Sequence, residues 1–462
     1  MEKKKVYGLI TACIILVGTL LIPVPQGMET AARNTLGLLV AALVLWTTEA
    51  VPLGITALAL LILQPIYGIA DLNTAFKEFI TPVIFFVIAT SGISCAIMKT
   101  PLANRMAGWL LKKAGRDSGK VVLAFMTGSA IVSSFVSNVP AAALFMGLAL
   151  SILEGIGAKP GSSRLGKSLM IAIPFGAMIG GITTPAGSSV NILALYLLDK
   201  SAHISISFLE WMLFGVPIAV AMIPITSYII VKTLKPEPIE MDVTKILTNN
   251  RAEHKQLTVP EIKVLIIIGL MLFFWILSTW VPVINITIVA IVGLIIFFLP
   301  GIEIFSWEEF NQEVGWETVI MIGGVTSIGA AVVASGLSTW FLNTVLYGLT
   351  GLGVMPLTAL VGLIMNLLHL VLPIAPAIVA VSIQPLTDLS VLAGISPVIL
   401  AITTAYLANC SMLLPLDAVP LITYSKKYYS MGDMFRAGWL TSLIWVLLTA
   451  IWVPLIASLL GY

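Results

Sequence analysis

Apolar runs of about 20 residues, separated by short polar segments, fill most of this chain. Helices of that length match the hydrocarbon thickness of a bilayer. The runs do not alternate apolar and polar positions, as strands of a membrane barrel do. The pattern therefore predicts an all-α polytopic membrane protein with eleven spans, at about 7–23, 32–48, 51–69, 80–98, 168–198, 207–231, 260–281, 284–300, 316–335, 392–425 and 436–460.

Two further apolar stretches, 120–156 and 353–388, are too long for one helix and too interrupted for two regular ones. We expect both to be re-entrant helical hairpins, which enter and leave the membrane on the same side and so leave the span count unchanged. Irregular backbone at membrane depth is tolerated where it is buried in protein or lines a wet cavity.

Composition and charge support this topology. Hydrophobic residues make up 59% of the 462 positions and charged residues 10%, whereas soluble domains carry about 25% charged residues. With a cytoplasmic N-terminus, eleven spans place 21 of the 24 lysines and arginines on the cytoplasmic side, as the positive-inside rule requires. We expect a multi-pass protein of the cell membrane, with an uncleaved first span.

The chain also repeats itself. Residues 82–110 resemble residues 318–346, and in each half a hairpin and an interrupted span follow. The topology gives the two copies opposite orientations. Inverted repeats with broken helices are typical of secondary transporters with a site near the membrane midplane. The predicted division is 1–31 for the first span, 32–231 for the first repeat, 232–259 for a cytoplasmic linker and 260–462 for the second repeat.

A polar cluster lies inside the first hairpin, at Ser133, Ser134, Ser137 and Asn138, followed by Pro140. Proline is favoured in the first turn of a helix, so a half-helix should begin near residues 139–140. Its free N–H groups and positive dipole end would bind an anion without a basic side chain. Hydroxyl and carbonyl oxygens of the same turn can coordinate a small cation. The alternative is that the serines bond their own helix, which we favour for Ser134 alone.

The interrupted span of the first repeat is expected to meet this hairpin. Pro185 and Gly187 break the helix, and Thr184, Ser188 and Asn191 offer hydrogen-bonding groups beside the break. A proline kink alone is weak evidence, because prolines bend many membrane helices without a functional role.

Ionisable residues within apolar segments are functional candidates by default. Asp417 could bind a cation, carry a proton or repel a second carboxylate, or it could be a neutral acid bonded to the backbone. His369 could bond substrate or titrate, or be a packed and satisfied side chain, and Asn366 lies one turn away from it. Glu49 is expected to cap the helix that follows it.

Three motifs resemble the divalent anion:sodium symporters, the INDY-type di- and tricarboxylate transporters. Residues 45–60, LWTTEAVPLGITALAL, resemble the family segment W-x-T-E-A-I-P-x-x-x-T-A-L. Ser137 and Asn138, followed by Val139, resemble its Ser-Asn-Thr hairpin motif, and GSSVN at 187–191 resembles its G-S-P-P-N break. The resemblance implies eleven spans, two re-entrant hairpins, a homodimer and an elevator movement of a transport part against a scaffold.

Carried over by position, the resemblance implies a sodium ion held by Ser133, Ser137, Asn138 and Gly187. It also implies that Ser137, Asn138 and Ser188 hold a substrate carboxylate. Val139 departs from the motif because it stands where the family has threonine.

The second half departs further. Ile374, Ala375 and Pro376 stand in place of Ser-Asn-Thr, and Asp417 and Ala418 fall in the segment corresponding to the second break. These changes remove the side-chain oxygens of a second sodium site and carboxylate clamp, although Pro376 can still begin a half-helix. Exchange of anions, or coupling to fewer ions, is therefore a serious option beside sodium symport.

The predicted function is secondary active transport of a small organic anion such as succinate, malate, citrate or 2-oxoglutarate, by symport with sodium as the coupling ion or by anion exchange, and without a cofactor. Sulfate, a sulfonate or a monocarboxylate stays open as substrate, and nothing indicates a nucleic-acid partner.

An integral membrane enzyme is a different class of function. A membrane metalloprotease would need the motif H-E-x-x-H, which the three histidines, His203, His254 and His369, are too far apart to form. A channel is the remaining alternative.

Overall fold

The computed structural model describes residues 2–239, 256–281 and 283–462, and all regular structure within them is helical. The centre of the predicted linker, with His254, lies outside the described residues. The α-helices are Glu2–Leu21, Thr30–Thr48, Leu53–Ile66, Leu72–Phe79, Pro82–Lys99, Leu102–Ala114, Ser118–Ser133, Asn138–Gly155, Arg164–Gly181, Ser189–Ala202, Phe208–Leu234, Val259–Leu277, Ile286–Phe298, Trp307–Glu313, Trp316–Ala334, Leu337–Phe341, Val354–Leu368, Ala375–Leu392, Pro397–Ala408, Ala418–Tyr424 and Met431–Leu459. Short 3₁₀ or π segments occupy Pro185–Gly187, Leu342–Leu346 and Tyr347–Leu349.

Nine helices in the described ranges are long and apolar enough to cross a membrane. This confirms an all-α multi-pass membrane protein. Two of the nine, Asn138–Gly155 and Ala375–Leu392, belong to the predicted hairpins, and the interrupted spans are divided into shorter helices. The number of crossings therefore stays a prediction.

Hairpin 1 (residues 118–155) is a pair of antiparallel helices. Phe125 of the first helix meets Phe145 of the second edge to face, with ring centroids 6.1 Å apart. A Cβ on Gly128 would lie 2.5 Å from the same Phe145 ring, so the glycine lets the two arms approach. The second arm begins at Asn138, two residues before Pro140.

Hairpin 2 (residues 354–392) also consists of two helical arms joined by a short turn. Its arms, Val354–Leu368 and Ala375–Leu392, both pack against helix Pro397–Ala408. In the same way, both arms of hairpin 1 pack against helix Arg164–Gly181. Both arms of each hairpin therefore pack against the first helix of the interrupted span that follows it in sequence.

Both interrupted spans have a break between two helices. Break 1 (residues 182–188) ends at Ser188, whose hydroxyl accepts a hydrogen bond from the Val190 N–H at 3.3 Å. Break 2 (residues 409–417) ends at Asp417, which accepts from the Val419 N–H at 3.0 Å. The span predicted from residue 392 begins only at Pro397, because Gly394 turns the chain with φ +68° and Ser396 caps the new helix.

The second helix of each interrupted span packs against the hairpin of the other half of the chain. Helix Ser189–Ala202 packs against hairpin 2 and Pro397–Ala408, whereas Ala418–Tyr424 packs against hairpin 1 and Arg164–Gly181. Both breaks therefore lie at the boundary between the two halves of the chain.

Close backbone contact sets where hairpin 1 meets break 1. A Cβ on Gly176 would lie 2.3 Å from the Met126 carbonyl oxygen, and one on Gly180 would lie 2.0 Å from that of Ala130. Glycines four residues apart allow two helices in a membrane to approach to backbone contact. The contact brings the hairpin turn beside the break.

The prediction for Glu49 was wrong. Glu49 ends helix Thr30–Thr48 in the left-handed region, with φ +50°. The following helix is instead capped by Glu317, whose carboxylate accepts a hydrogen bond from the Leu53 N–H at 2.6 Å. The capping acid comes from the second half of the chain, so no local pattern could reveal it.

Candidate functional site

Three buried asparagines connect the turn of hairpin 1 with both breaks. Asn138 Nδ2 donates to Asn409 Oδ1 at 3.2 Å, and Asn409 Nδ2 donates to Asn191 Oδ1 at 3.3 Å. Asn191 Nδ2 in turn donates to the carbonyl oxygens of Gly181 and Thr184, at 2.7 and 2.8 Å. The polar groups of both halves thus form one network.

Oxygen atoms gather where hairpin 1 meets break 1. Ser133 Oγ donates to Asn138 Oδ1 at 2.8 Å. A Cβ on Gly181 would lie 2.0 Å from that Oδ1, and one on Gly187 would lie 2.6 Å from the Gly181 oxygen and 3.0 Å from the Ser133 carbonyl oxygen. Amide, hydroxyl and carbonyl oxygens are the ligands preferred by hard cations. The structure thus brings together Ser133, Asn138 and Gly187, three of the four predicted sodium ligands.

The fourth predicted ligand, Ser137, is exposed at the turn, with φ +35° and ψ 152°. A non-glycine residue at positive φ is strained, and Ser137 is the residue at which the chain enters the second arm of hairpin 1. Val139 is half-buried in the next position. The Ser137 hydroxyl is therefore presented to the open side of the turn, where a solute could reach it.

Thr184 and Ser134 brace the site. Thr184 Oγ1 donates to the Ser134 carbonyl oxygen at 2.5 Å and accepts from the Gly187 N–H at 3.1 Å. Thr183 Oγ1 donates to Ser134 Oγ at 2.8 Å. These bonds fasten the hairpin turn to the break. Thr184, predicted to bind substrate, has its hydroxyl committed to this brace.

Two helices begin at this meeting point, Asn138–Gly155 and Ser189–Ala202. The first turn of a helix has unpaired N–H groups and carries a partial positive charge. Ser188, 6% exposed, caps the second of these helices. The arrangement can therefore stabilise a negative charge beside the oxygen cluster.

The turn of hairpin 2 has a different chemistry. Helix Ala375–Leu392 begins there, with Ile374 as its N-cap and Pro376 in its first turn. Ala375 and Pro376 are buried and Ile374 is half-buried. None of these three side chains has an oxygen, so the side chains of this turn cannot coordinate a cation.

Hairpin 2 nevertheless reaches break 2 through two polar side chains. His369 Nε2 lies 2.7 Å from the Ala408 carbonyl oxygen, and Asn366 Nδ2 donates to the Cys410 carbonyl oxygen at 3.0 Å. Asp417 is half-buried at the other end of the break, and Ala418 beyond it is exposed. The sequence-predicted residues of the second half therefore surround break 2 without forming an oxygen cluster.

Sequence reasoning missed Asn409 and Gly181. Asn409 is the first polar residue after the apolar helix Pro397–Ala408, and Gly181 ends the preceding interrupted helix. Both signals are local breaks of apolar runs. Their roles depend on contacts with Asn138 and became visible only in the folded chain. Sequence reasoning also missed Trp211, whose Nε1–H donates to the Ile182 carbonyl oxygen at 2.8 Å.

Within the described ranges, no group of three or more histidine, cysteine, aspartate or glutamate side chains is placed to hold a metal ion. The oxygen cluster at hairpin 1 is made instead from neutral groups. Neutral oxygens suit a monovalent cation that must bind and leave again.

Comparison with known proteins places these features in context. The family described as "Sodium:sulfate symporter transmembrane region" matches residues 3–460. The chain is 26% identical to the sodium-dependent dicarboxylate transporter SdcS of Staphylococcus saprophyticus, over 99% of this chain and 92% of that protein. It is 25% identical to the sodium-dependent high-affinity dicarboxylate transporter 3 of Caenorhabditis elegans, over 90% and 81% of the two chains.

A solved structure shares the fold. The crystal structure of the Alcanivorax borkumensis YdaH transporter, described as having an unusual topology, superposes with a TM-score of 0.53 at 12% sequence identity. The similarity covers 84% of this chain and 87% of that one.

Proposed function

Because the chain belongs to the sodium:sulfate symporter transmembrane-region family, we propose that it is a sodium-coupled secondary transporter of a small organic dianion, a dicarboxylate. Membership confirms the resemblance drawn from the sequence. The dicarboxylate transporters that are similar along almost the whole chain support this substrate class. The same relatives are transporters, which argues against an enzyme.

One observation carries the proposal: the oxygen cluster of Ser133, Asn138 and Gly187 lies beside the first turns of two helices. A sodium ion in the cluster and a carboxylate at the helix ends would neutralise each other. Each therefore raises the affinity for the other, which is what coupled binding requires. Ser133, Ser137, Asn138 and Gly187 would hold sodium, while Ser137, Asn138 and Ser188 would hold a carboxylate.

We further propose an elevator movement. The two hairpins and the interrupted spans form the transport part, and helices Leu53–Ile66 and Trp316–Ala334 belong to the scaffold. A cavity of about 310 Å³ lies between these parts, lined by residues of both. Glu78 of the scaffold side forms an ion pair with Lys200 of the transport part at this cavity. Such a pair would hold one state of the carrier and break when the transport part moves.

Orientation and assembly are part of the same proposal. The distribution of lysine and arginine supports a cytoplasmic N-terminus in the cell membrane. Exposed apolar side chains cover helices Glu2–Leu21 and Val259–Leu277, faces that are suited to lipid or to a second copy. We propose a homodimer, which cross-linking in native membranes would test.

The test is uptake of labelled succinate into proteoliposomes, with the sodium gradient and the internal anion varied separately. Sodium-driven uptake without internal anion supports symport. Uptake that ignores sodium and requires internal succinate would instead establish exchange. If sulfate competes and no dicarboxylate is taken up, the substrate class is wrong.

Variants locate the site. Asn138→Ala and Ser137→Ala should each lower succinate uptake at least tenfold at equal protein content. Ser151→Ala is the matched control, since Ser151 lies on the same helix as Asn138 and bonds its own Gly147 carbonyl. Equal uptake by Asn138→Ala and Ser151→Ala would remove hairpin 1 from the binding site.

A further inference from the structure

The two hairpins supply their breaks with opposite kinds of group. At hairpin 1 the oxygens of Ser133 and Asn138 converge on Gly181 and Gly187. At hairpin 2, by contrast, the side chains directed at break 2 are those of His369 and Asn366. These side chains direct N–H groups at the carbonyl oxygens of Ala408 and Cys410. Their hydrogens carry partial positive charge at a place where a second cation would need oxygen ligands.

The contact with Ala408 fixes the proton on one nitrogen of His369. A carbonyl oxygen can only accept, so Nε2, 2.7 Å from the Ala408 oxygen, carries the hydrogen. The other nitrogen, Nδ1, is buried and has no hydrogen-bond partner in the described structure, and the residue is 3% exposed. A buried polar atom without a partner is unfavourable. Nδ1 can be satisfied in two ways. Either a donor meets its lone pair, or Nδ1 itself binds a proton and donates it to an acceptor.

Break 2 contains one charged residue. This residue is Asp417, at the end of the break, where its carboxylate accepts a hydrogen bond from the Val419 N–H. The thiol of Cys410 is 3.7 Å from Ser442 Oγ, its hydrogen-bond acceptor. Tyr406, on the helix that both arms of hairpin 2 contact, donates its hydroxyl to the Trp211 carbonyl oxygen. These last two groups are engaged elsewhere.

The remaining element packed against the first arm of hairpin 2 is helix Met431–Leu459. Its charged residues lie in the first two turns: Asp433 pairs with Lys167 at 3.0 Å, and Arg436 is exposed. Ser442 contacts Cys410 of break 2 and lies about 14 Å further along the helix than Asp433 and about 9 Å further than Arg436. Asp417, at the end of break 2, would then be the counter-charge for a protonated His369.

We propose that His369 binds a proton at Nδ1 together with the substrate, so that its positive charge and new N–H take the place of a second cation at hairpin 2. The proposal rests on the proposed transport function. The proton enters from the side on which the anion loads, adds to the Nδ1 lone pair and leaves from the same nitrogen after release of the anion. An anionic carboxylate or Asp417 accepts the Nδ1–H in the loaded state. One proton would then accompany each turnover beside the sodium ion at hairpin 1.

The test compares full-length wild-type protein with His369→Gln in proteoliposomes at a fixed sodium gradient. The glutamine amide can keep the hydrogen bond to Ala408, because its nitrogen corresponds to Nε2, but it cannot be protonated near neutral pH. Fumarate is the probe, as it stays doubly ionised between about pH 6 and pH 8. For wild type we expect the KM to rise about tenfold across that range, and uptake to acidify the lumen, which a trapped dye reports.

His369→Gln should show a flat KM and no acidification while sodium still drives uptake. His203→Asn is the matched control: His203 is exposed in the left-handed region after helix Ser189–Ala202, which asparagine tolerates. It should keep the wild-type profile. A pH-dependent KM retained in His369→Gln, or a flat profile in wild type, would overturn the proposal.

A second measurement does not need transport. In protein labelled with ¹⁵N-histidine, the three histidines are assigned with the single-site variants, and with fumarate present the His369 ring should gain a proton as the pH is lowered from about 8 to about 5. If fumarate is not transported but the ring titrates, the proposed substrate fails while the proton site stands. A ring fixed in one protonation state over that range refutes the proton site, even if His369→Gln is inactive.

Discussion

Asn138 and Asn409, 271 positions apart, share a hydrogen bond of 3.2 Å between Nδ2 and Oδ1. Asn138 begins the second arm of hairpin 1, and Asn409 ends the first piece of an interrupted span in the other half. Asn409 extends the link to Asn191 at 3.3 Å. The two halves of the chain therefore share one buried polar network, and the network includes the residues proposed to bind sodium and substrate.

Asn409→Ala should lower sodium-driven succinate uptake at least tenfold. The change leaves Asn138 Nδ2 and Asn191 Oδ1 without their partner, and a buried unsatisfied group costs about 1–3 kcal/mol. Asn73→Ala, at an exposed position, serves as control. Uptake by Asn409→Ala within twofold of this control would show that the network does not shape the site.

Gly181→Ala should impair transport through crowding. A Cβ at this position would lie 2.0 Å from Asn138 Oδ1, whereas one at Gly147 would meet nothing within 4 Å. Overpacking costs about 1–3 kcal/mol, and here it would displace a proposed sodium ligand. We expect the sodium concentration for half-maximal uptake to rise severalfold in Gly181→Ala and to stay unchanged in Gly147→Ala. Equal sodium dependence in the two variants would contradict the geometry.

A short bismaleimide joining cysteines at positions 78 and 200 should block uptake. Glu78 and Lys200 form an ion pair across the boundary of the proposed scaffold and transport parts. The control joins positions 167 and 433, another ion pair, which links helix Arg164–Gly181 of the transport part to helix Met431–Leu459, a helix packed against hairpin 2. The exposed Cys13 is first replaced by serine, while Cys95 and Cys410 are buried. If the 78–200 cross-link leaves uptake intact, the two parts do not move against each other there.

Glu237 should contribute stability that disappears in acid. It accepts hydrogen bonds from Ser163 Oγ at 2.6 Å and from the Leu165 N–H at 2.8 Å, at the start of helix Arg164–Gly181. Burial raises the pKa of Glu237, but these hydrogen bonds outweigh burial and hold the pKa below its ordinary value of 4.5. The stabilisation is therefore present above about pH 4.5 and is lost as the pH falls below it.

The measurement is the thermal midpoint of the purified protein in detergent. Glu237→Gln should lower the midpoint by a few degrees at pH 7, because it removes a carboxylate from the positive end of a helix. The difference from wild type should shrink as the pH falls towards 4. A difference that grows in acid would contradict this assignment.

The sequence alone determined that this protein is an all-α multi-pass membrane protein and to which family it belongs. Apolar runs of about 20 residues must pair their backbone groups within the run, so length and polarity are enough to predict helices. The helix starts at Asn138 and Ser189 also followed local signals, a proline in the first turn and a serine cap. Such signals act over a few residues and need no knowledge of the rest of the chain.

Tertiary structure alone decided which polar residues meet. The second piece of each interrupted span packs against the hairpin of the other half, and this crossing brings Asn409 to Asn138. Packing of helix Trp316–Ala334 on helix Leu53–Ile66 brings Glu317 to the helix after Glu49. Periodicity records which face of a helix is polar but not which distant helix covers that face. A polar group within a membrane must find a partner, and the partner is set by packing between the halves rather than by its sequence neighbours.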